Sequence, residues 1–212
     1  MNQNQFLWWA LIILCGAGIV SPALPADAQA QGPYTYIHHA VSTSFPTAQF
    51  AFDRGLTLAF AYEPQEAERA FREAARLDPS LAMAWWGIAL AVGPNINNEP
   101  EPKSTVIAAD SIARAKLLAA KRATAQEREY IDALSMRYSS DPNPDFDKLA
   151  VGYRDAMRAV VGRHPNDADA AALYAESIMD LRPWRLWTVD GKTRSRHPGA
   201  RHASREWPES PS

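Results

Sequence analysis

The chain has one cysteine in 212 residues, Cys15, and it sits inside an apolar N-terminal run. Loss of that run leaves no disulfide, thiolate metal site or cysteine nucleophile. Leu14 is too large for the small residue that usually precedes a lipidated cysteine, so no lipid anchor is expected. Neither sign of charge is in excess: the formal net charge is −2, which leaves no basic field for nucleic acid or an anionic membrane. Val and Ile are sparse after residue 30 while alanine is abundant, a bias toward helices that approach closely. There is no Gly-x-Ser-x-Gly, no phosphate-binding glycine loop, and no His-x-x-x-His or Glu-x-x-His on a helix.

The longest apolar run, "FLWWALIILCGAGIV" (6–20), is short of the roughly 20 residues a membrane span needs. Alanine-spaced polar sequence follows it, with small-x-small sites that end at Ala28 and Ala30. Residues 1–30 therefore read as a signal peptide cleaved after Ala28 or Ala30. The expected location is periplasmic or secreted, with no stable membrane span after cleavage. Residues 2–5 carry no Lys or Arg, so an uncleaved N-terminal membrane anchor is the alternative.

Residues 31–46 lack periodicity and read as an irregular arm. The periodicity of 47–189 predicts seven helices and no strand: Thr47–Tyr62, Gln65–Leu77, Ser80–Val92, Ser104–Arg122, Thr124–Ser139, Phe146–Gly162, and a last one capped by Asn166-Asp167 and ending near Leu181. Proline punctuates them. Asp78-Pro79 and His164-Pro165 stop two helices, because a residue before proline is disfavoured in helical geometry. Pro64 sits where a first turn tolerates it. The tail 190–212 has too few apolar residues to order itself.

The stretch "EAERAFREAARLDPSLAMAWWGIALAVG" (66–93) reads as a tight helical hairpin followed by the start of a second. Gly55, Ala67, Phe71, Ala74 and Pro79, with Trp85 six residues on, follow the spacing of tetratricopeptide repeats, and the chain resembles that family. The glycine and alanines let helices come close, Phe71 fills the space between them, and Pro79 forces the next turn. The resemblance implies an all-α fold, a right-handed superhelix of antiparallel hairpins of about three and a half units. "HHAVSTS", "FDRGL", "AWWGIALAVGPNIN" and "LRPWRLWTVDGK" are similar to a group of secreted bacterial repeat proteins that continue into further helices. Against that group this chain reads as truncated, its tail as a shifted frame, with residues 168–188 lacking a partner.

In such arrays the first helix of each unit lines a concave binding face. Phe52, Leu56, Phe60, Met83, Trp86 and Leu90 are placed there as an apolar groove for a peptide or protein, with Asn95 and Asn97 at its rim. The alternative is that the arm itself, or further helices, fills the groove. The asparagines could equally bond their own turn. His38 and His39 raise metal or acid–base chemistry. Adjacent histidines in an extended segment face opposite ways, so one ion does not easily take both, and His39 hydrogen-bonded into the first hairpin is the simpler expectation. "RPWRLW" (182–187) groups arginines with indoles that stack well on them. Glu127 and Glu129 around Arg128 read as a solvated face. The expectation is thus a non-enzymatic scaffold binding a peptide or protein, with no cofactor and no nucleic acid. An enzyme or metal protein using His38 or His39 near the Asn95–Asn97 loop is the second reading.

Overall fold

The structure is a computed structural model; it describes residues 36–181 except 98, 99 and 142. The expected signal peptide, the "RPWRLW" cluster and the tail lie outside the described residues. Among those described there are seven α-helices and no strand: α1 Pro46–Phe60, α2 Pro64–Leu77, α3 Ala82–Val92, α4 Pro102–Arg122, α5 Ala125–Ser135, α6 Phe146–Arg163 and α7 Ala168–Asp180. Their order and number follow the sequence periodicity, and the boundaries differ by a few residues at most.

The helix starts have local causes. Pro46, Pro64 and Pro102 open α1, α2 and α4, where the missing N–H has no intrahelical partner to lose. Asp145 and Asp167 cap α6 and α7 through the amides of Lys148 and Ala170. Thr124 and Glu127 form a capping box on α5. The last turn of the predicted fifth helix is absent, since α5 stops at Ser135. There Arg137 and Tyr138 turn inward: Tyr138 Oη donates to the Ala89 carbonyl at 2.6 Å, and Arg137 pairs with Asp180 of α7 with its guanidinium 4.8 Å from the Tyr153 ring centre.

Each helix packs on the next along the chain, and α1 also touches α3, as α3 touches α5. Helix α3 is therefore surrounded. Its residues are apolar all round, and nine of them are buried: Ala82, Met83, Ala84, Trp86, Gly87, Ile88, Ala89, Leu90 and Ala91. A helix without a polar face belongs in that position.

Close approach is set by one ring between two glycines. Phe71 of α2 is fully buried, and it lies against Gly55 of α1 and Gly87 of α3. A Cβ on Gly55 would meet the Phe71 ring at 2.7 Å, and one on Gly87 would meet it at 2.3 Å. The alanines Ala67 and Ala74, also fully buried, flank Phe71 on its own helix. Trp85 is only partly buried, with Arg114 6.0 Å from its ring centre. Gly87 was not singled out by the spacing, yet it makes the tighter contact.

Candidate functional site: the face beneath the arm

Helix α1 carries polar residues at four-residue steps, Gln49, Asp53 and Thr57, in a largely apolar sequence. That spacing puts them in one row. The arm lies along this row, antiparallel to the helix. Ile37 N donates to Thr57 Oγ1 at 2.9 Å, His39 N to Asp53 Oδ1 at 3.1 Å, and Val41 N to Gln49 Oε1 at 3.0 Å. The Gln49 amide returns a bond to the His39 carbonyl at 2.8 Å. The match is geometric. Two residues of extended chain span about 6.6 Å, and four residues of helix rise 6.0 Å, so alternate amides meet successive turns in register.

Beyond Val41 the arm crosses to α5 and then to the end of α2. Glu127 Oε1 accepts from Ser42 N at 2.7 Å, and Glu127 Oε2 accepts from the Ser42 hydroxyl. The same carboxylate accepts from Thr124 N in the capping box. Glu127 is buried, which overturns its reading as part of a solvated face: the capping geometry turns it inward, where the arm covers it. Glu129 does sit nearer solvent and pairs with Arg163 and His164. Thr43 Oγ1 donates to Asp78 Oδ2 at 2.7 Å. Burial alone would push Asp78 up, but hydrogen bonds from Ser80 and Thr43 and the nearby Arg122 charge hold it below the usual carboxylate range.

The two histidines diverge. His38 Nδ1 lies 2.7 Å from Asp53 Oδ2, and its side chain is largely exposed. His39 Nδ1 lies 2.6 Å from Asp169 Oδ2 in the first turn of α7, with both side chains mostly shielded. Burial opposes charge on His39, but the hydrogen bond and charge of Asp169, with Asp167 and Asp53 nearby, hold its pKa above the ordinary value. The ring stands edge-on to Tyr130, centroids 5.4 Å apart. Tyr130 Oη and Gln126 Nε2 each donate to Asp167 Oδ2 at 2.7 Å. His39 thus joins α7 as well as the first hairpin.

Of the six expected groove residues, Phe52, Leu56, Met83, Trp86 and Leu90 are buried. Phe52, Trp86, Tyr130 and His39 follow one another in ring contact beneath the arm, with Phe52 also against Phe71. These side chains are floor, not open surface. Phe60 is half-buried and, with Leu90, Asn95, Leu173, Glu176 and Tyr62, lines a shallow recess past the C-terminal end of the α1 row. Asn95 Oδ1 accepts from Asn97 N at 2.8 Å, so this side chain serves its own turn. Asn97 lines a different cleft, with Pro64, Glu68 and Ser104.

Sequence reading missed Asp53, Gln49, Glu127, Asp167 and Asp169. The first two were legible as a polar stripe on an apolar helix, and Glu127 as the fourth residue of Thr-Ala-Gln-Glu. Nothing local could join Asp169 to a histidine 130 positions away. No protein-family model, curated protein or solved structure matches the chain.

Proposed function

We propose that the protein is an exported, non-enzymatic scaffold of tetratricopeptide-like hairpins stacked as a superhelix, and that it binds an extended peptide segment of another protein on the face where its own arm lies. The observation that carries this is the ladder between Gln49, Asp53 and Thr57 and the amides of Val41, His39 and Ile37. Side chains that accept from alternate backbone amides grip any extended chain, whatever its sequence. Specificity then falls to the pockets between rungs, which is the logic of extended-peptide recognition. The contacts of α1 with α3 and of α3 with α5 support the stacked arrangement. The covered floor of Phe52 and Trp86 supports the arm as a resident occupant, since large apolar patches are seldom left bare.

A labelled peptide of sequence YIHHAVSTSF (36–45) tests the reading. Residues 37–43 of the chain are replaced by a Gly/Ser spacer of equal length, and circular dichroism checks that the helices remain. The peptide binds the spacer variant and is excluded from the unaltered chain, where the tethered arm acts at an effective concentration of about millimolar. Adding Glu127→Ala to the spacer variant weakens the peptide by about tenfold or more, the cost of losing a charge-assisted contact. A folded spacer variant that ignores the peptide refutes the proposal.

A further inference from the structure

We propose that His39, Asp167 and Asp169 form a site for one divalent transition-metal ion of the zinc class, tying the arm to the start of α7. A ligand atom from each of the three residues lies within 4.8 Å of the other two. Tetrahedral zinc with bonds of about 2.0–2.2 Å sets its ligand atoms about 3.4 Å apart, so closing the set takes a shift of about 1.4 Å at the widest pair, within the reach of carboxylate rotation. One imidazole with two carboxylates suits zinc or a neighbouring first-row ion better than calcium, which takes six to eight oxygens.

Two ordinary explanations leave something over. Capping of α7 needs only Asp167, whose Oδ1 accepts from Ala170 N. Pairing of His39 needs only Asp169. Both carboxylates nevertheless converge on one ring.

The ligands are also held before any ion arrives. His39 is fixed through its own backbone, which donates to Asp53 and accepts from Gln49, and its ring is set against Tyr130. Asp167 is oriented by Tyr130 and Gln126. Outer partners of this kind orient metal ligands, and their loss typically costs about 10–100-fold in affinity. The site does not depend on the peptide reading: it stands or falls on three side chains, whatever else the face binds.

The test is calorimetric titration of the metal-free full chain with zinc chloride. One ion per chain is expected, and cobalt substituted for zinc should give the visible absorption of a low-coordinate nitrogen and oxygen site. His39→Ala and Asp169→Asn each weaken zinc by about tenfold or more, Gln126→Ala by about tenfold, and His38→Ala leaves it unchanged. Asp169→Asn keeps an oxygen for His39, so its fold, checked by circular dichroism, is expected to stay intact and it decides the matter if His39→Ala unfolds. No saturable zinc binding, or binding that survives in Asp169→Asn, overturns the proposal.

Discussion

Gly87→Ala is the substitution on which the packing account can be judged. It adds a single methyl group in the middle of α3, and on intrinsic propensity it should help, since glycine inside a helix costs about 1 kcal/mol relative to alanine. The structure gives the opposite sign. The new Cβ would stand 2.3 Å from Phe71 Cδ1, 2.4 Å from Cε1 and 2.6 Å from Cγ. The ring cannot step aside, because Gly55 closes its other flank and Phe71 is fully buried. One helix or the other must move by about 1 Å, and overpacking of this kind costs about 1–3 kcal/mol. Because α3 contacts helices on several sides, the upper end applies, and a net loss of about 1–2 kcal/mol remains after the propensity gain. Gly162→Ala is the matched control. It is an exposed position near the end of α6 where an added Cβ meets nothing within 4 Å, so the fold should be unchanged or gain up to about 1 kcal/mol. Urea unfolding followed by circular dichroism measures both. Adding Phe71→Leu to Gly87→Ala should recover part of the loss, giving a favourable coupling between the two sites. If Gly87→Ala is as stable as the unaltered chain, or if both alanines shift stability alike, the wedge does not set the helix spacing.

Glu176 gives a pH dependence. Burial, aided by the negative Asp180 and opposed by Arg137, raises its carboxyl from 4.5 to about 7. Between those values the folded chain holds a proton that the unfolded chain has lost, so this group makes stability fall as pH rises from about 4.5 through 7. At 1.36 kcal/mol per pKa unit the effect is about 3 kcal/mol at most, and Glu176→Gln should remove it, flattening that part of the urea midpoint against pH. Arg137→Leu alone should cost about 3–5 kcal/mol by stranding the shielded Asp180 carboxylate, and Arg137→Leu with Asp180→Leu should regain most of it, read from thermal melts. Gln49→Ala removes one rung and the bond back to the His39 carbonyl, and should raise protease nicking in the arm without moving the helical signal.

Helix positions were largely legible because their causes are local. Proline at three starts, aspartate caps, and the Asp-Pro and His-Pro stops act within a turn of the residue that carries them. The Phe71–glycine wedge was half legible. Gly55 stood out in a repeat pattern, whereas Gly87, inside the uninterrupted apolar α3, looked like one more small residue; its role depends on which ring faces it. The site was legible only along α1, where Gln49, Asp53 and Thr57 recur at helical spacing. Apolar positions such as Phe52 and Trp86 were assigned to an open groove, whereas they are buried, since periodicity shows which side of a helix is apolar and not what covers it. The meeting of His39 with Asp167 and Asp169 is a product of the tertiary fold, and no short-range pattern encodes it.

Everything functional here turns on whether the arm is seated on the α1 row as an extended chain is gripped. Amide hydrogen exchange of the full chain, resolved by residue with NMR, tests that most directly. The account predicts that the amides of Ile37, His39, Val41 and Ser42, each bonded to a side chain of the helical body, exchange far more slowly than an unstructured peptide, and that Glu127→Ala speeds Ser42. Exchange of all four at the rate of an open chain, with the helices still protected, would contradict it.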